Sequence, residues 1–164
     1  MANDRVIDIA VTKVIAVTTV ASPLAPTVAE LTAGLDITPM LTSGTTIDFA
    51  DTDVVSEMSF ADGEKIEAPS LRSYDVQLNM FKLYTSGVVG TQDPSTIFTD
   101  TYPTLYIYKR TGLPSATAPL ATQKWLVFKI TADRPKEPSG QGGFLKMMVK
   151  GFPQGFSGRA TVAT

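Results

Sequence analysis

Between Tyr74 and Met80 the chain alternates: Tyr74, Val76, Leu78 and Met80 fall on one face, Asp75, Gln77 and Asn79 on the other. A period of two is that of a strand with one buried side. Phe81 and Leu83 invert the alternation, which predicts either a bulge or a strand leaving its sheet. Further strands are predicted over 105–110, 123–132 and 144–152. In the last, Leu145, Met147 and Val149 face inward while Lys146, Met148 and Lys150 face outward. Residues 9–20 are rich in Val, Ile and Thr and apolar on both faces, so they read as a strand covered on both sides or paired with a neighbouring subunit. Val54, Met58 and Phe60 alternate with Val55, Glu57 and Ser59, and Asp62-Gly63 is a turn signal. Together they predict a hairpin of 53–60 with 64–68. The tail, 157–164, alternates weakly and reads as an edge strand.

Helical signals are few. The two prolines of Ser22-Pro23-Leu24-Ala25-Pro26 fix a turn. Thr27-Val28-Ala29-Glu30 then matches a capping box, in which Thr27 and Glu30 each serve the other's backbone N–H. With Gly34 as a C′ residue, one helix over 28–33 is expected. Asp93 to Phe98 reads as a single helical turn. Two long loops, 111–122 and 134–143, carry the remaining Pro and Gly punctuation. No internal repeat or domain boundary is visible. The fold class is mainly β, a β-sandwich or partial barrel with one short α-helix and long loops, as one domain over 1–164.

Composition narrows the chemistry. The chain has no His and no Cys, which removes disulfides, thiolate metal sites, Ser-His-Asp and Cys-His catalysis. Charged residues make up 18%, below the usual quarter, which suggests a surface partly covered by other copies of the chain. A net charge of −2 argues against a binder held by phosphate neutralisation. Met1 to Arg5 show no secretory signal, and 9–20 is too short and too polar to cross a bilayer, so folding in the cytoplasm is expected.

Half of the 16 acids fall between Leu35 and Pro69: Asp36, Asp48, Asp51, Asp53, Glu57, Asp62, Glu64 and Glu67, against one base, Lys65. Calcium binding by Asp48, Asp51 and Asp53 lacks a glycine turn and a bidentate Glu at the right offset. A glycosidase pair is unsupported, since nothing sets two acids apart from the rest. The bland reading is a solvated acidic face; such a face also repels a polyanion. Tyr102, Tyr106 and Tyr108 beside Lys109 and Arg110 resemble a stacking platform, yet they alternate with Leu105 and Ile107 as an ordinary strand does. Trp125 reads as a core or interface anchor. Gly140-Gln141-Gly142-Gly143 lacks the Lys-Ser/Thr of a phosphate loop and enters a strand. No catalytic, cofactor or metal residue is assigned, and no enzyme is expected.

Four runs carry a family resemblance: 25–36 (APTVAELTAGLD), 72–78 (RSYDVQL) after the acidic stretch, 125–135 (WLVFKITADRP) and 147–153 (MMVKGFP). The chain resembles the major tail (tail tube) proteins of long, non-contractile-tailed bacteriophages, especially those infecting actinobacteria. The resemblance implies a structural virion protein without cofactors, assembled in the host cytoplasm. Six copies would close into a ring, and rings would stack around a tape-measure protein into a conduit for DNA delivery. Partners implied are the tail terminator, distal tail proteins and double-stranded DNA in transit without specific binding, with no membrane. Asp48, Asp51, Asp53, Glu57, Asp62, Glu64 and Glu67 become candidate lumen or assembly-loop residues. The arm, about 1–8, and the loops, about 42–68 and 134–143, become candidate assembly segments. The alternative is a carbohydrate- or protein-binding decoration module of a virion, which would show an exposed aromatic platform.

Overall fold

Alternation is realised most fully in β6 (Tyr74–Phe81), where Tyr74, Val76, Leu78 and Met80 are all buried. In the computed structural model, which describes residues 11–57, 66–69, 73–85, 87–138 and 144–163, β6 belongs to a seven-stranded antiparallel sheet. The other members are β1 (Lys13–Val17), β2 (Leu35–Asp36), β3 (Thr46–Phe49), β9 (Thr104–Arg110), β10 (Lys124–Ala132) and β11 (Lys146–Thr161). Their order is β2-β1-β9-β10-β11-β6-β3. Two separate ribbons, β4 (Val54–Glu57) with β5 (Ile66–Pro69) and β7 (Tyr84–Thr85) with β8 (Val88–Val89), hang off it. The mainly-β expectation holds, with one short helix, α1 (Val28–Ala33).

The sheet is strongly curled. Lys109 Nζ on β9 donates to Ile47 O on β3 at 2.9 Å, although three strands lie between them. In a flat sheet that separation would be roughly 19 Å. Phe49 on β3 likewise meets Phe128 on β10, ring centroids 5.1 Å apart. One core fills the concave side, drawing Val14, Ile47, Val76, Leu105, Phe128 and Met147 from six different strands. The link between β2 and β3 crosses the gap: Ile37 N–H bonds Val14 O, and Thr42 N–H bonds Asn79 O. This is a partial barrel made from a single sheet.

A second core lies on the convex side of β1, β9 and β10. Ile15, Val17, Tyr108, Trp125 and Val127 point there, covered by Leu31 of α1 and by Val162. The predicted two-sided strand at 9–20 is thus β1, observed over Lys13–Val17 and paired with Tyr106 to Arg110, while 9 and 10 lie outside the described residues. Burying Leu31 alone contributes about 1.5–3 kcal/mol. The capping box forms as expected: Glu30 N–H bonds Thr27 Oγ1 at 3.2 Å and Thr27 N–H bonds Glu30 Oε2 at 2.7 Å. Gly34 is needed for another reason than the left-handed turn expected. Its φ is −69°, and a Cβ there would sit 2.7 Å from Ile15 Cγ2. Glycine lets α1 close onto β1.

The second half of the chain departs from expectation chiefly at its tail. The tail is not a separate strand, for 157–161 continue β11 and pair with β10 as Phe128↔Ser157 to Lys124↔Thr161; β6 pairs only 146–151, so this part has one ladder neighbour, as an edge does. Pro153 and Gly155 hid this continuity; they belong to a bulge, with Gly155 at φ +66°, where the register jumps. Tyr74 pins that bulge, its hydroxyl donating to Lys129 O and accepting from Gln154 N–H. At Phe81 the inversion marks a strand leaving its sheet, and the β7–β8 ribbon that follows was not foreseen. The Asp93 signal yields a 3-10 turn, Pro94–Thr96. The predicted 53–60 with 64–68 hairpin is observed as Val54↔Pro69 to Glu57↔Ile66, while its Asp62-Gly63 turn lies outside the described residues.

Buried polar groups hold the loops. Arg110 is 2% exposed, stacks over Trp125 at 5.1 Å, and donates to the carbonyls of Pro114, Thr117 and Ala118 and to Gln123 Oε1. Lys13 Nζ adds a bond to Ser115 O and an ion pair with Asp36 at 2.6 Å. The 111–122 loop is therefore pinned to the sheet. Asp93, fully buried, accepts from Leu83 N–H and from Ser95 N–H and Oγ, fixing the start of the 82–98 connection. Burial would raise its pKa, but those bonds prevail and hold it below the usual aspartate value.

Two stability predictions follow from these groups. Arg110→Met should lower the unfolding free energy by about 2–4 kcal/mol, because three loop carbonyls lose a charged donor. Denaturant titration followed by Trp125 fluorescence measures it; a loss under about 0.5 kcal/mol would contradict the pinning. Asp93 stabilises the fold fully above its ordinary pKa, and that contribution is lost as pH falls through the lower folded value. Asp93→Asn should cost about 1–2 kcal/mol near neutrality, with the gap to the unmodified chain closing in acid. A gap independent of pH would refute the assignment.

Candidate assembly and conduit surface

The core under helix α1 takes in β1, β9, β10 and, through Ala160, the C-terminal part of β11. Among the described residues the outward face of β3, β6 and the 146–151 part of β11 has no such cover, and its composition follows from the register. Asp48 stands opposite Asp75, Thr46 opposite Gln77, Gln77 opposite Lys150, Asn79 opposite Met148, and Phe81 opposite Lys146. The face is polar through its middle and acidic at the Tyr74 end. Like charges directly opposite each other on neighbouring strands are destabilising. Asp48 Oδ1 accepts only from Phe49 N–H, and among the described residues neither carboxylate of this pair meets a cation.

The remaining sequence-assigned acids divide as follows. Asp51 and Asp53 are exposed on the link from β3 to β4. Glu57 ends β4 and Glu67 lies in β5, paired in register with Ile66 and Ser56 respectively. Asp62 and Glu64 lie outside the described residues. The structure thus brings Asp48 together with Asp75, a residue absent from the original set. Only strand pairing reveals that neighbour, since 27 positions separate the two in sequence.

At the opposite end of β6 the surface is apolar. Leu83, Tyr84, Val88, Val89, Phe144 and Leu145 are exposed there. Phe144 meets Phe81 edge-on at 5.4 Å, and Lys82 N–H bonds Leu145 O at 3.0 Å. Lys82 Nζ is taken by Glu137 at 2.5 Å; the carboxylate holds the ammonium pKa above its usual value. The tyrosines do not form a stacking platform. Tyr108 is buried with its hydroxyl donating to Pro23 O, Tyr106 is half-buried, and Tyr102 stands exposed in a loop. Trp125 is a core residue.

Among the described residues the largest clefts hold no acid and base left free to act as a pair. The one of about 420 Å³ between the 3-10 turn and Arg134 contains Asp100 and Glu137, but Arg134 and Lys82 already engage them. Among the described residues no group of three or more His, Cys, Asp or Glu is placed to hold a metal ion. None of their helices is long and apolar enough to cross a membrane. The surface features that remain are an uncovered sheet face, free strand edges and projecting ribbons.

Among curated proteins no sequence matches this chain. The family model described as phage tail tube protein, in contrast, matches residues 1–164. The chain therefore belongs to the phage tail tube protein family and is a structural component of the virion tail.

Proposed function

We propose that copies of this chain close into hexameric rings that stack into a hollow tube, with the β3–β6–β11 face turned to the channel. The observation that carries this reading is the uncovered sheet face with its unneutralised Asp48–Asp75 pair. A wall of that kind repels a phosphate backbone and lets DNA pass without gripping it. The sheet ends at β2 and β3, bridged by the link between them and by Lys109 but forming no ladder with each other, provide the lateral contact. An unpaired edge is a template for another chain, and a rotational contact that closes yields a ring.

Stacking falls to the β4–β5 ribbon within 42–68, the arm over 1–8 and the 134–143 loop, the assembly elements of a single 1–164 domain; of these, 1–8, 58–65 and 139–143 lie outside the described residues. Ribbons of two short strands are marginal alone and gain stability by docking. The tape-measure protein, tail terminator and distal tail proteins are the other partners, and the subunit performs no catalysis.

Electron microscopy of the purified chain should show six-fold rings or tubes. Removing 1–8, or shortening 44–65, should leave a folded monomer that no longer polymerises; normal tubes from both variants would refute the assembly roles. Replacing Asp48 and Asp75 by Lys should leave tube formation intact yet reduce DNA delivery by about tenfold or more, read as infectivity after complementation. Unchanged infectivity would remove this face from the channel.

A further inference from the structure

We infer that neighbouring copies meet head to tail along the β6 axis, the apolar, lysine-rimmed end of one copy receiving the acidic end of the next. This rests on the self-assembly proposed above and specifies which surfaces meet. The two ends are roughly 23 Å apart, the span of eight strand residues. They differ sharply in character.

At the Phe81 end, Phe144 is 82% exposed, Val88 68% and Leu145 58%. These side chains stand on a fixed platform: Phe144 leans on Phe81, Leu145 is tied to Lys82, and Leu83 is held by Asp93. Lys146 extends over the Phe81 ring at 5.8 Å, and Lys136 lies beside it through the Lys136↔Met148 bridge. Among the described residues neither lysine has a carboxylate partner.

At the Tyr74 end, Asp51 and Asp53 on the link from β3 to β4 are exposed and, among the described residues, equally without cations. Beside them Phe49 is 44% and Val54 57% exposed. Each end supplies the charge that the other lacks, and each adds apolar surface that water leaves uncovered. A second copy fits because both halves of the match are present on every chain. Because the two surfaces lie at opposite ends of β6, copies joined in line leave one of each unsatisfied, and the contact continues from copy to copy.

Reversing one end at a time tests the match. Lys136→Glu with Lys146→Glu, and separately Asp51→Lys with Asp53→Lys, should each raise the concentration needed for polymerisation by about tenfold or more. Combining all four substitutions in one chain restores opposite signs at the two ends and should recover assembly. Trp125 fluorescence verifies that each variant is folded. As a measurement needing no variant, polymerisation of the unmodified chain should weaken as sodium chloride is raised. Single-end variants that assemble normally, a fourfold variant no better than its parents, or indifference to salt would each overturn this inference while leaving ring stacking in place. A chain that never assembles, even with its tail partners, would overturn both.

Discussion

Everything in this fold follows from having one sheet whose central strands are apolar on both sides. A single antiparallel sheet can bury one face by curling on itself, and this one does, bringing β3 across to β9 and β10. The other face then needs a separate cover. The core under α1, a helix of only six residues, takes in β1, β9, β10 and, through Ala160, the C-terminal part of β11. Beyond that core, β3, β6 and the 146–151 part of β11 present Thr46, Asp48, Asp75, Gln77, Asn79 and Lys150 outward. The boundary between covered and uncovered sheet is thus set by the length of one capped helix.

The loops divide along the same logic. Where a loop lies over the double core it is anchored by buried cations, Lys13 and Arg110, whose donors satisfy carbonyls that would otherwise be orphaned. Where the chain leaves the uncovered part of the sheet it forms separate ribbons, β4–β5 and β7–β8. Rigid loops on one side and projecting ribbons on the other suit a subunit that keeps its own shape and completes its contacts with copies of itself.

Much of this was legible in the sequence, and the parts that were not have identifiable causes. Period-two alternation gave β6 in full, and the Thr27–Glu30 box gave α1 to the residue. The two-sided burial of β1 was readable because Val14 and Ala16 are as apolar as Ile15 and Val17. Beyond Gly151, local signals misled: Pro153 and Gly155 read as a break, while non-local pairing with β10 carries the strand through a bulge. Gly34 was correctly placed for an incorrect reason, since close approach to Ile15 leaves no mark in a single sequence. The Asp48–Asp75 pair was invisible for a similar cause, because it exists only through the register of β3 on β6.

The acidic stretch between Leu35 and Pro69 is then less a single patch than a set of residues delivered to different places. Asp36 is spent on Lys13, Asp48 joins the sheet face, and Asp51 and Asp53 ride the link to the β4–β5 ribbon. The central claim is that the face left bare by α1 is completed by the assembly as the wall of a channel. A cryo-electron microscopy map of the assembled protein tests it most directly. The account predicts β3, β6 and β11 at the channel wall with α1 toward the exterior; α1 at the wall, with the Asp48–Asp75 face outward, would contradict it.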